Sequence, residues 1–276
     1  AFNMLSTPIP DEFSGQVNAI AGSDEERQLH AYAGDSFEHF GYVVETFQSR
    51  ANGFKDISGF ANADAGLDYS TGFDKQDYLA KARFSTGTDA RIPQSLTLTA
   101  TRTTETSNET YLGLTQADFE ASPFRRYAGS QNDQMNTEHS RLQARHVIQP
   151  AEGLDVTTTL YRTDFHRNWY KLDSVDGVGI SSLLSNPNEN STALARAKGR
   201  ETGGSFMVKN NNREYYTQGI QTTVGYDFTS GAVSHNLEIG GRYHEDEIDR
   251  FQWEDDYRMA DRGVMELVSE GIPGSE

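Results

Sequence analysis

The sequence predicts an all-β chain: an antiparallel transmembrane β-barrel fragment of about nine strands forming a curved open sheet, with short periplasmic turns and long extracellular loops. Three observations carry that reading. Strand-like segments alternate strictly between apolar and polar residues, so each has one greasy and one wet face. The connections between them alternate short and long. Yet no stretch reaches the ~20 apolar residues of a membrane-spanning helix, and mean hydropathy is −0.69.

Two strands show the alternation best. In Gln94 to Thr104, Leu96, Leu98 and Ala100 fall on one face, and Ser95, Thr97, Thr99, Thr101 and Thr103 on the other. In Tyr215 to Thr229, Tyr216, Ile220, Val224, Tyr226 and Phe228 oppose Thr217, Gly219, Gln221, Thr223 and Asp227. A barrel strand needs only about ten residues with every second one apolar, which barely registers on a hydropathy scale.

The elements come in this order. Pro8 and Pro10 keep the opening segment out of a regular ladder. Strands are expected at Gly15–Ala21, Gln28–Gly34 and Phe40–Ser49, with turns at Ser23–Glu26 and Asp35–Glu38. A Gly/Asp/Asn-rich loop runs from Ala51 to Gln76, and Tyr78–Ser85 is the fourth strand. A short turn at Thr86–Asp89 leads to the strand from Gln94. In the long segment Glu105–Asn136, Thr115 with Asp118 three residues on marks a capped short helix ended by Pro123. Thr137–Gln149 and Leu154–Arg167 are strands joined by the tight turn Pro150–Gly153. A loop of Asn168–Glu214 precedes Tyr215–Thr229, and the turn Ser230–Ala232 leads to Ser234–Glu245. Short connections near Ser36, Thr88, Glu152 and Gly231 fall at one end of the sheet. Long ones near Ala51, Ser107, Ser185 and beyond Ile248 fall at the other, and loops of that length commonly bind something. Leu154–Arg167 changes its code midway: Leu154, Val156 and Leu160 share a face, whereas Tyr161 and Phe165 take the opposite one. Either the strand leaves the membrane there or Leu160 sits in a bulge.

Composition narrows the function. A formal net charge of −17 argues against nucleic acid, whose phosphates would be repelled. Cysteine is absent, so there is no disulfide framework and no thiolate chemistry. No Ser/His/Asp arrangement, phosphate loop or paired-carboxylate motif stands out, and no enzyme activity is expected. His244, Glu245, Asp246, Glu247 and Asp249 are metal-ligand types, but strand alternation puts neighbours on opposite faces and the EF-hand spacing is missing. No metal or cofactor is expected. Neither end carries a signal peptide or a closing element, which reads as an internal fragment.

Several segments resemble TonB-dependent outer-membrane receptors, and among them the ferric dicitrate receptor-like group. They are Asn108–Thr115, Phe124–Ala128, His166–Leu172, Arg242–Glu247 and Arg250–Trp253. Phe2–Thr7 is similar to the last strand of that family's N-terminal plug. The resemblance implies a barrel of roughly 22 strands around a plug. It implies a cell outer-membrane receptor, monomeric at full length and surrounded by outer-membrane lipid, that binds a ferric siderophore and imports it with TonB-derived energy. Residues 1–12 would be the end of the plug and a linker, and 13–276 the truncated first part of the barrel. The TonB complex would act through a plug region that this chain lacks.

Ferric citrate presents carboxylates, which arginine forks match best. Candidate contacts are Arg125, Arg126 and Tyr127 in a long loop, Arg167, Trp169 and Lys171 where a strand enters the next loop, and Arg250 with Trp253 in the corresponding later place. The same clusters would equally serve to anchor loops by cation–π contacts and surface ion pairs. Arg141, Gln143 and Arg145 alternate with Leu142 and Ala144, so their cations point to the wet side, as a structural ladder or as a path for anions. Two other readings compete. A carbohydrate-binding β-sandwich would show two packed sheets with an apolar core between them. A passive porin would lack the plug-like start.

Nine strands cannot close a barrel of this kind, and the isolated chain is expected to aggregate in water through its raw edges. We expect no measurable binding of ferric citrate by this chain alone; micromolar binding in a calorimetric titration would overturn that.

Overall fold

The alternation read from the sequence becomes one antiparallel ladder. The computed structural model describes residues 6–58, 69–87 and 89–272. Phe2–Leu5, Thr88, the centre of the Ala51–Gln76 loop and the terminal residues 273–276 lie outside the described residues. The long strands are β1 (Ser14–Ala21), β2 (Arg27–Ser36), β3 (Phe40–Ala51), β5 (Phe73–Ser85), β6 (Gln94–Asn108), β8 (Gln134–Ala151), β9 (Leu154–Val175), β11 (Gly203–Ser230) and β12 (Val233–Met259). They pair strictly in chain order, with short β13 (Met265–Ser269) beyond β12 and β10 (Val178–Gly179) beside β9. All pairs in this sheet are antiparallel. The nine expected strands are therefore all present. β4 (Asp56–Ser58) and β7 (Arg125–Tyr127) form a separate parallel pair between two long connections.

Pairing fixes the faces, because directly opposed residues point to the same side. One rung reads Tyr42–Ala82–Leu98–Ala144–Leu160–Ile220–Tyr243 from β3 to β12. The next rung toward the long connections reads Val44–Ala80–Ala100–Leu142, then turns polar at Arg162, Gln218 and Glu245. Two rungs the other way, Ile148, Val156, Val224 and Ile239 are apolar. The apolar band thus crosses the rungs diagonally, the slant that tilted strands would need to present it to a flat slab of hydrocarbon. Its side chains stand open: Leu142 is 65%, Leu160 51% and Ile239 76% exposed, and the band holds a hollow of about 880 Å³ among Leu98, Leu142, Leu160 and Ile220. Among the described residues no second sheet lies against them, which removes the sandwich reading.

β9 passes Leu160 in unbroken register with both neighbours, so there is no bulge there. Its outward residues simply become Arg162, Asp164 and His166: the strand leaves the apolar band and continues as a wet ribbon. The same effect lengthens other strands beyond expectation. Much of the expected Asn168–Glu214 loop is strand, leaving only residues 176–202 as connection, and β12 runs on past Glu245 to Met259. Backbone pairing continues after the greasy code has ended, because each ladder hydrogen bond removes a polar group from competition with water whatever the side chains are. At the other end the turns stay tight. Gly153 takes φ +71°, and a Cβ there would lie 2.2 Å from the Asp227 carbonyl.

The buried core lies where the long connections meet the extended strand ends, not in the apolar band. Helices α2 (Ile180–Ser185) and α3 (Ser191–Ala197) pack with the extended ends of β9, β11 and β12, and the exposed helix α1 (Gln116–Ala121) lies beside them. Leu112, Tyr127, Leu172, Leu183, Phe206 and Met259 are among its buried members. Thr115 caps α1 as expected, accepting from the Asp118 amide. The Asp118 carboxylate accepts from the Tyr127 hydroxyl and pairs with the Lys198 ammonium at 2.6 Å, tying α1 to α3. Burial would raise the Asp118 carboxyl, but Lys198, Tyr127 and Thr115 outweigh it and hold it down to about 2. Asp133, 2% exposed, accepts from the Leu172 and Leu112 amides at 2.7 and 3.3 Å, and burial pushes it up to about 7.

In a lipid bilayer, Leu160→Arg should destabilise the sheet by ~2–4 kcal/mol in equilibrium unfolding, and Thr99→Arg on the opposite face by much less. For the loop core the sign is that of a depressed carboxyl: its stabilisation is present above the ordinary value of 3.8 and is lost as pH falls toward about 2. Amide exchange in α1, corrected for intrinsic rates, should quicken over that interval, whereas Asp118→Asn should exchange rapidly on both sides of it.

Candidate functional site on the polar face

On β8 to β12 the sheet sorts charge by face. Between the rung of Arg242 and that of Arg250, the face away from the apolar band carries Arg141, Arg145, Arg167, Arg213, Arg242 and Arg250, against Asp246. Over the same interval the band's own face, where it turns wet, carries Glu138, Asp164, Glu214, Glu245, Glu247 and Asp249, against Arg162. A chain of net charge −17 thus keeps one cationic wall.

Its densest part is a single rung. Arg213 of β11 is directly opposite Arg167 of β9 on one side and Arg250 of β12 on the other, with Thr137 of β8 next in line. Strands lie about 4.8 Å apart, so the three arginine positions span ~10 Å. Like charges directly opposed repel, and the hydrogen-bond acceptors beside them are neutral. Arg213 donates to Asn211 Oδ1 at 3.1 Å and Tyr215 Oη at 3.5 Å, and Arg250 donates to Gln252 Oε1 at 2.6 Å. Among the described residues, none of the three forms an ion pair. Glu105, on the same rung toward β5, is engaged with Lys75 at 4.0 Å. Tyr215 lies above the apolar band. The Arg213 guanidinium holds its hydroxyl below the usual range, against burial and helped by Arg167.

Aromatic and amide groups flank the arginines. The rung on the turn side carries His139, Phe165 and Tyr215, with Phe165 and Tyr215 centroids 5.6 Å apart. The rung on the loop side carries Trp169, Asn211 and Gln252. One rung further, Lys171 is paired with Lys209. Lys171 Nζ stands 4.7 Å from the Tyr111 ring centroid and 5.0 Å from that of Trp169, and those two rings meet edge-on at 5.3 Å. Such a wall can hold an anion with several oxygen atoms and an apolar or metal-bearing centre.

The sequence-predicted residues divide. Arg167, Trp169, Lys171 and Arg250 share this wall. Trp253 does not join Arg250: three residues apart on a strand means opposite faces, and Trp253 instead lies 5.5 Å from Phe251. Arg125, Arg126 and Tyr127 form β7, away from the rung. Tyr127 is 2% exposed, with its hydroxyl on Thr115 and Asp118 and Lys198 over its ring. Arg126 clips the loop through Thr110, Pro123 and its neighbour's carbonyl. Arg213, the centre of the rung, escapes the sequence reading because it lies inside the stretch expected as loop. The alternation Lys209–Asn211–Arg213–Tyr215, continued upstream from the expected strand, is the signal that would have found it.

No family model matches the chain, and no curated protein sequence matches it. Among solved structures it is similar to the ferric citrate transporter FecA in its unliganded form, with 14% identity and a TM-score of 0.60 over 98% of this chain and 33% of that one. It is also similar to the ferric-catecholate import receptor Fiu from E. coli K12 in its open form, with 12% identity and a TM-score of 0.58 over 98% of this chain and 38% of that one. The chain therefore spans between a third and two fifths of the solved proteins it matches. What this likeness establishes is the fold: a large antiparallel sheet with barrel-type topology, of which these residues form a part.

Proposed function

We propose that this chain is part of an outer-membrane receptor that binds an anionic ferric chelate from outside and imports it with TonB-derived energy, without covalent chemistry. In that reading residues 1–12 are the end of a plug and its linker, and 13–276 are the first part of a barrel whose remaining strands meet the open edges of β1 and β12–β13. The complete protein would work as a monomer in the cell outer membrane. The apolar band would face lipid and the polar face would line the lumen.

The observation that carries the reading is the Arg167–Arg213–Arg250 rung, three cations without a carboxylate partner among the described residues, on the face opposite the apolar band. Repulsion along it is relieved by an anion that offers several carboxylates at once, and Arg forks suit carboxylates. This supports a ferric citrate-type ligand over a neutral chelate. Lys171 and Trp169 would meet the ligand nearer the mouth. Arg125 and Arg126 would contribute from the loop above, and Tyr127 and Trp253 would support loops. The similarity of fold to import proteins for ferric citrate and ferric catecholate supports the receptor class.

In the intact protein, Arg213→Ala should weaken ferric citrate binding by roughly ten- to a hundredfold, the worth of a charge-assisted contact. Arg102→Ala, on the outward face beside Glu138, should leave it unchanged. Binding should also weaken as salt is raised. Unaltered affinity in Arg213→Ala would sink the assignment of the rung. Equal loss for a ferric catecholate, with no binding of ferric citrate, would keep the receptor and discard the citrate.

A further inference from the structure

Residues 6–10 do not join the sheet; they lie across its polar face. Lys81 Nζ of β5 donates to the Thr7 and Ser6 carbonyls at 2.6 and 3.3 Å. The Thr7 side chain hydrogen-bonds Glu45 of β3, which His30 of β2 holds from the other side at 2.6 Å. Ser36, at the end of β2, donates to the Pro10 carbonyl at 2.5 Å and receives Arg83 at 3.1 Å. Two glycines make the seat. A Cβ on Gly34 would lie 2.7 Å from the Pro10 ring, and one on Gly41 3.0 Å from the Ile9 side chain. Pro8 and Pro10 have no N–H to offer a ladder, so the strap is held chiefly through its carbonyls and the Thr7 side chain.

A few residues beyond the strap the chain enters β1, which pairs over eight residues with β2. A pull arriving at Ser14 would open that pair from its end, one hydrogen bond at a time. A pull arriving at Ser6 meets contacts spread over β2, β3 and β5 and loads them together. We propose that residues 6–10 and their seat are a mechanical stop, which lets the chain before Ser6 be drawn away from the wall while β1 stays in the sheet. The proposal rests on the receptor reading only for the origin of the pull.

Single-molecule pulling on the N-terminus of the intact protein in a lipid bilayer tests it. The expected trace shows a separate rupture before β1 leaves β2. Lys81→Met should lower that rupture force by about half, because it removes two charge-assisted hydrogen bonds. Gly41→Val, which fills the Ile9 seat, should abolish it. Lys75→Met, on the same strand and face but away from the strap, should leave it unchanged and show that β5 is still folded. Absence of a rupture before β1, or an unaltered force in both seat variants, would overturn the stop. Ferric citrate binding measured on the same samples separates the two ideas: a failed receptor reading shows as no binding with the rupture intact.

Discussion

The constraint on which the rest depends is that each backbone amide and carbonyl of a strand must pair with its neighbour while side chains alternate between faces. In an unbroken antiparallel meander, that one rule aligns the face of every strand with the next. Leu160 can be outward only if Ala144 and Ile220 are, and Arg213 can share a wall with Arg167 only because the register between β9 and β11 holds from Val208 to Tyr226. The apolar band and the cationic wall are two sides of the same ladder. A one-residue slip at any junction would put arginine in the greasy band and leucine on the wet face.

The molecule is organised inside out relative to a water-soluble domain. The apolar side chains of its band are exposed, and its buried core sits where the chain has left the band, among α2, α3 and the strand ends. That placement has a use. On the proposed reading lipid covers the band, so the sheet there needs no core; the long connections do need one, because in water they would otherwise have little to fix them above the wall. Tyr127 is committed to this task by its burial and its hydrogen bonds, and Arg126 ties the loop through Thr110. Cationic and aromatic residues at this end of the sheet are thus divided between holding loops and standing on the polar wall, and only geometry separates the two.

Charge is divided in the same manner. Above the band the outward face of β8 to β12 collects carboxylates, and at that level the polar wall is left cationic. Net charge by itself would suggest that an anion is repelled. The sheet reverses this locally, because side chains on opposite faces are separated by the backbone and, above the band, screened from each other by water.

The sequence alone determined the nine strands, their order, the face of each within the band and the ends at which short and long connections fall, since all of these depend on period-two alternation and turn residues that are local in the chain. It also singled out Arg167, Lys171 and Arg250. Only the tertiary structure decided how far the strands run beyond the greasy code, that Arg213 completes the rung, that Trp253 faces away from Arg250, and that Tyr127 is buried. Those facts depend on which residues stand opposite each other across strands far apart in sequence, and a local pattern carries no record of register once the outward face has become as polar as the inward one.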